Sequence, residues 1–170
     1  MMNQSLSEAL NEQMNFEFYS AHVYLAIAGY CSGESLDGFA NFFIVQAEEE
    51  RFHAMKMYKY LNDRGKRVTL TGFDAPNNDY TSVLQAFEHA FQHEQIVTKR
   101  IYHLSDLAMN DREHATIQFL KWFIDEQVEE EAMFDNLINK LKRIDQDSNA
   151  FFMLEAELAQ RVFTPPPATR

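Results

Sequence analysis

Four long stretches of the chain repeat apolar residues at alternating spacings of four and three, the period of a helix packed along a seam. The first runs Leu6, Leu10, Gln13, Glu17, Ser20, Tyr24, Ile27. The second runs Phe39, Phe43, Gln46, Glu50, His53, Met57, Tyr60, and the third runs Leu84, Phe87, Phe91, Glu94, Thr98, Ile101, Ala108. The fourth runs Leu120, Phe123, Gln127, Glu130, Phe134, Leu137, Leu141. A shorter amphipathic piece, roughly 148 to 162, carries Phe151, Phe152, Leu154 and Leu158. The fold predicted is all-α: a four-helix bundle plus a short fifth C-terminal helix. In each long segment polar residues interrupt the middle of the seam and leave its ends apolar.

Helix punctuation sets the boundaries. Ser32-Gly33 is expected to close the first helix with a left-handed glycine cap, and Gly65 to end the second. Thr81 or Ser82 caps the third helix, with Gln85 placed for a capping box. Asn110-Asp111 makes the junction into the fourth, with Glu113 placed to bond back to Asn110. About three residues join the first helix to the second and the third to the fourth, so each pair is antiparallel. Residues 65–80 can reach ~50 Å when extended, whereas a helix of ~28 residues is ~42 Å long. That connection can cross the whole bundle and make the second and third helices parallel, giving one long crossover. Residues 1–162 form one domain in this reading. The tail 163–170, with Pro165-Pro166-Pro167, is expected to fray.

With that topology the acids fall at one height. Glu17 lies sixteen residues before Gly33 and Glu50 seventeen after it. Glu94 lies sixteen before Asn110, while Gln127 and Glu130 lie seventeen and twenty after it. On a rise of ~1.5 Å per residue, all sit within about one turn of a common level. Ionised carboxylates are almost never fully buried without compensation, because desolvation costs several kcal/mol per ion. No basic residue stands beside them on the seams, so a pair of divalent metal ions is the expected counter-charge. Oxygen donors with one imidazole, His53 of Glu50-Arg51-Phe52-His53, suit iron, manganese or zinc. Glu50 can bridge two ions and His53 can ligate one of them.

Composition narrows the setting. Gly (5) and Pro (4) are scarce in 170 residues, in keeping with long uninterrupted helices. The single cysteine, Cys31, rules out a disulfide framework and a Cys-based cluster. A net charge of −11 argues against a nucleic-acid partner. The first fifteen residues lack a signal-peptide core, and no run approaches the ~18 apolar residues of a membrane span. The expectation is a cytoplasmic protein with no membrane partner. His22, His89, His93, His103 and His114 show no partner pattern and are read as surface or interface residues, His93 facing away from the Glu94 stripe.

Over nearly all of residues 1–162 the chain resembles the bacterial non-haem ferritins. The resemblance rests on Glu17, Tyr24, Glu50-Arg51-Phe52-His53, Glu94 and the run 125–131, together with the crossover and the fifth helix. Glu-x-x-His ligation inside four-helix bundles is an established pattern of di-iron carboxylate proteins, and the assignment borrows it. The resemblance implies a ferroxidase centre in which Glu17 and His53 bind one iron, Glu50 bridges, and Glu94 and Glu130 bind the second. Gln127 stands beside it as a weak ligand or neighbour. Tyr24 either joins the site or is plain core. The implied function is oxidation of Fe(II) by O2 or H2O2 and storage of Fe(III) as a mineral in a cage of 24 identical subunits. The alternative is a small-oligomer di-iron or di-manganese oxidoreductase or peroxidase of the same superfamily.

Departures from relatives carry information. Glu130 is followed at the Glu-x-x-His spacing by Met133, and Gln127 replaces an acid, which fits iron in transit. Arg51 stands where bacterioferritins place their haem-ligating methionine, so no haem is expected. The chain also lacks the Cys-x-x-Cys tail of rubrerythrin-like peroxidases. Glu49 lies about 100° round the second helix from Glu50, and Glu126 and Glu129 share a face of the fourth. These three can form a weaker, all-carboxylate third iron site on the inner surface, as bacterial ferritins have near their centre.

Overall fold

The computed structural model describes residues 2–166. Its elements are α1 (Gln4–Gly33), α2 (Asp37–Asp63), α3 (Val83–Asn110), α4 (His114–Leu141) and α5 (Asn149–Leu158). α1 packs chiefly on α2 and α3 on α4, α1 touches α3, and α5 lies against α2. The predicted bundle with its fifth helix is what forms. α5 stops four residues short of the predicted end, and of the expected fraying tail, residues 167–170 lie outside the described residues.

Two apolar clusters fill the bundle. One joins Tyr24, Ile27 and Cys31 of α1 to Phe39 and Phe43 of α2, Val83 and Phe87 of α3, Phe134 and Leu137 of α4, and Phe151 of α5. The other joins Leu6 and Leu10 to Met57 and Leu61, Ile101 and Leu104, and Leu120 and Phe123. The beginning of α1 thus meets the ends of α2 and α3, so α2 and α3 run parallel. Between the clusters lies a buried polar layer. This is the seam interruption of the sequence, stacked into one level by the common rise of four helices.

The crossover has no regular structure of its own and is held by side chains. Asn11 and Thr69 exchange two hydrogen bonds, Nδ2 to the Thr69 carbonyl at 2.9 Å and the Thr69 amide to Oδ1 at 2.8 Å. Asn15 receives the Thr71 amide at 2.9 Å and donates to the Thr69 carbonyl at 2.9 Å. Buried or strapped backbone must find partners, and two asparagines one turn apart on α1 supply them.

The helix ends correct the sequence reading three times. α1, α2 and α3 all close with the same motif, the amide of Leu36, Lys66 or Glu113 bonding a carbonyl five residues back at 2.9 Å. The left-handed residues are Ser35 (φ 60), Gly65 (φ 69) and Arg112 (φ 52). Gly33 is therefore still helical, and a serine and an arginine accept a conformation that costs them about 1 kcal/mol. Glu113 makes no cap bond and instead receives Arg64 at 3.0 Å, tying the end of α2 to the start of α4. The Ser82 cap forms as expected, while Gln85 returns to the amide of Thr81.

Gly38, in the first turn of α2, marks where α5 docks. A β-carbon there would stand 2.1 Å from the Glu155 carbonyl oxygen, and the Gly38 amide reaches Glu155 Oε1 at 3.3 Å. Gly38→Ala must push α5 off α2 and is expected to cost about 1–3 kcal/mol in chemical denaturation of the assembled protein. An unchanged unfolding midpoint would mean that α5 does not sit there.

Candidate metal centre

The polar layer receives one acid from each long helix. Glu17 and Glu94 have no exposed surface, Glu50 has 1% and Glu130 7%. His53, one turn beyond Glu50, is enclosed by Phe52, Trp122 and Phe123. Ligand atoms of Glu17, Glu50 and His53 all lie within 4.8 Å of one another. His53 Nδ1 is 3.6 Å from Glu50 Oε2.

The other two acids form a second half, held by neutral donors. Tyr24 donates its hydroxyl to Glu94 Oε1, and Gln127 Nε2 donates to Glu94 Oε2 at 2.9 Å. Gln46 Nε2 donates to Glu130 Oε2 at 2.9 Å, while Gln13 Nε2 donates to Glu17 Oε1 at 2.8 Å. Gln13 and Gln46 each fix one carboxylate oxygen of Glu17 and Glu130, while Tyr24 and Gln127 hold both oxygens of Glu94. Gln13 precedes Glu17 by one turn and Gln46 precedes Glu50 by one turn, so both were visible as seam residues. Their role was not, because spacing does not show which oxygen an amide will hold.

Burial dominates the electrostatics. It pushes the Glu94 carboxyl up to about 7, against the pull of the Tyr24 and Gln127 hydrogen bonds. It drives Glu50 and Glu130 well above the carboxylate range, helped by the negative field of Glu94, and raises Glu17 as well. His53 is pushed down to about 4 by the same burial and is a neutral donor at physiological pH. Tyr24 is driven well above 10 by burial and by Glu94, so it stays a phenol.

Two sequence expectations change here. His93 is buried, 2.8 Å from Ser20 Oγ and stacked on Phe16. A basic residue does approach the layer: Arg100, lying over Phe16, donates to Gln13 Oε1 at 2.6 Å and reaches Glu17 through that amide and through its positive field, without touching the carboxylate. No cation touches Glu17, Glu50, Glu94 or Glu130 directly among the described residues. Glu17 Oε2 and Glu50 Oε2 are buried without a hydrogen-bond partner there. Orphaned carboxylate oxygens of this kind cost roughly 1–3 kcal/mol or more each unless something positive meets them. Four acids and a neutral imidazole at one level fit two divalent ions in charge and in donor type.

Glu49, Glu126 and Glu129 lie beside this layer, on a cavity of about 310 Å³ that also reaches Glu130 and His53. Glu49 and Glu126 are partly buried and Glu129 is exposed. Burial raises the carboxyls of Glu49 and Glu126. Glu49 Oε2 is already taken by Arg161 at 2.7 Å.

The Ferritin-like domain family matches residues 7–144. The chain belongs to the ferritin family. It is 55% identical over 163 residues to a bacterial non-heme ferritin of Staphylococcus saprophyticus, spanning 96% of this chain and 98% of that one. It is 53% identical, over the same shares, to a bacterial non-heme ferritin of Staphylococcus aureus. Among solved structures it is similar to the open-pore ferritin of the hyperthermophilic archaeon Archaeoglobus fulgidus. The identity is 43% and the TM-score 0.93, covering 95% of this chain and 99% of that one. An engineered closed form of that ferritin superposes with a TM-score of 0.94 at 44% identity, covering 96% and 100%. The ferritin fold thus extends beyond the matched residues 7–144 to take in α5. No described helix of this ferritin chain is long and apolar enough to cross a membrane.

Proposed function

We propose that this ferritin oxidises Fe(II) at a dinuclear site built from Glu17, Glu50, His53, Glu94 and Glu130, and passes Fe(III) to a mineral store inside a cage of its own copies. Iron storage follows from membership of the family. The ferroxidase step is carried by one observation, the buried acids that no protein cation neutralises. Iron is the substrate here. Two Fe(II) ions supply the four positive charges that four carboxylates call for, and each gives one electron. One O2 then takes two electrons and two protons and leaves as H2O2. Held side by side, both ions can reduce the same oxidant, the template role of a two-metal site.

The chain's own residues have separable parts in this. Glu50, between Glu17 and the Glu94 side, is the bridging candidate, and His53 offers a nitrogen already free of its proton. Gln13, Gln46, Gln127 and Tyr24 aim the carboxylates. Trp122, Phe123 and Phe52 pack round the imidazole. Assembly is supported by large apolar side chains left exposed on every long helix of the single chain, among them Leu25, Ile44, Met55, Ile96, Tyr102 and Val128. Single apolar residues on a surface are ordinary, but such a spread over all four helices is what subunit contacts would cover.

Size-exclusion chromatography and anaerobic Fe(II) titration test both halves. A 24-subunit cage of a 19.9 kDa chain elutes near 480 kDa, an estimate of about that size from closed symmetry. About two Fe(II) should bind tightly per subunit before oxygen is admitted. A dimer-sized particle would favour the small-oligomer oxidoreductase instead.

A further inference from the structure

Beyond α5 the described residues, to 166, stay against the bundle. Asn41 Nδ2, on α2, donates to the carbonyls of Leu158, Ala159 and Arg161 at 3.0, 3.3 and 2.9 Å. That clasp turns the chain back along α2, and the Phe163 ring comes to 6.1 Å from Phe52. Arg161, between the two, lays its guanidinium 4.5 Å above the Phe42 ring and sends Nη2 to Glu49 Oε2 at 2.7 Å. Residues 161–166 thus form one wall of the cavity whose other walls carry Glu49, Glu126, Glu129 and Glu130. The acidic cavity beside the dinuclear layer is a place where the chain has already seated a cation of its own.

The seat is an imperfect one. Arg161 Nη1 is buried with no hydrogen-bond partner among the described residues, and the ion pair with Glu49 is part-exposed, at 22% and 24%. A pair of that kind is weak and exchangeable. An unsatisfied guanidinium N–H opposes it further. A guanidinium carries one positive charge where a divalent metal ion carries two, and both are drawn to the carboxylate of Glu49.

We propose that Arg161 is a tethered competitor for the accessory carboxylate site: a metal ion reaches Glu49 only by displacing this arginine, so the 159–166 strap sets how tightly that ion is held and when it leaves the dinuclear layer by this side. The inference rests on the dinuclear reading above and concerns Arg161, which acts by position and electrostatics and is not a ligand. It also predicts that a third ion here binds weakly, because the same cluster without the arginine would hold a cation more firmly.

The test uses the assembled, iron-free protein with Zn(II) as a probe that cannot be oxidised, followed by titration calorimetry. The expected isotherm shows two tight ions per subunit and one weaker ion. Arg161→Gln should leave the first two unchanged and tighten the third by up to about fivefold. Arg161→Lys, which keeps the charge, should stay close to the parent. Asn41→Ala, which opens the clasp without altering any charge, should tighten the third ion in the same direction as Arg161→Gln and covers the case in which that variant fails to assemble. Glu49→Gln should abolish the gain in either background. A third ion equally weak, or weaker, in Arg161→Gln and Asn41→Ala overturns the proposal alone. Absence of the two tight ions in the parent overturns the dinuclear reading, and the proposal with it.

Discussion

Glu50→Ala is expected to remove the fast phase of Fe(II) oxidation, lowering its rate by orders of magnitude, while the iron-free protein stays folded. Glu50 is 1% exposed, and its carboxyl lies among Glu17, Glu94 and Glu130, whose fields all push it toward the protonated form. One oxygen has no partner, so its removal strands no donor there. With Glu50 as the proposed common ligand of the two half-sites, its loss should leave two ions no longer held where both reduce one oxidant. The fold has less to lose, because taking one acid out of a buried group of four relieves repulsion and desolvation together. Glu50→Gln is the cleaner partner, since it removes the charge and opens no cavity. Stopped-flow oxidation and thermal denaturation of the iron-free protein are the measurements. A wild-type oxidation rate in either variant would sink the assigned centre.

Iron-free stability is expected to fall between about pH 6.5 and 8, and divalent metal is expected to abolish that fall. The sign comes from Glu94, whose folded value of about 7 stands above its ordinary 4.5. A raised carboxyl contributes stability while protonated, below the unfolded value, and loses it as pH rises through the folded one. At roughly 1.4 kcal/mol per unit, Glu94 alone withdraws about 3 kcal/mol between pH 4.5 and 7, of which less than about 1 kcal/mol falls above pH 6.5, and Glu17, Glu50 and Glu130 shift in the same direction. His53 works the other way. Held down near 4, it withdraws stability as pH falls from 6.5 toward 4, and His93 does the same. Above pH 6.5 both histidines are neutral folded or unfolded, so only the carboxylates remain in play. Metal binding needs them deprotonated. Affinity should therefore climb through pH 7, with net proton release at pH 6 seen as a dependence of calorimetric heat on the buffer's ionisation enthalpy. An iron-free melting temperature that is flat or rising over that window would contradict the burial-driven shifts.

How much of this was legible in the chain differs from residue to residue. Glu17, Glu50, His53, Glu94 and Glu130 could be placed at one level because a helix is a local ruler. Each residue adds the same rise, and two short loops fix the zero of the scale. Helix boundaries were legible within a few residues, but the choice of left-handed residue was not. The closing motif is made by backbone bonds, so Ser35 and Arg112 can occupy it at a modest cost.

His93 shows the limit of a seam argument. One residue from Glu94, it turns about 100° round α3, and whether that direction is surface or core depends on Ser20 and Phe16 of α1 being there. Arg100 and Arg161 were further out of reach. A long, flexible side chain starting off the seam has no periodic signature, and residues 159–166 have no helical ruler. The sequence by itself determined the four helices, their topology and the height of the buried acids, since those follow from periodicity, rise and loop length. Only the tertiary structure decided which amide holds which carboxylate oxygen, that an arginine is seated on Glu49, and that α5 is followed by a strap. Those contacts join residues up to about 120 apart in the chain and exist only once the helices have packed.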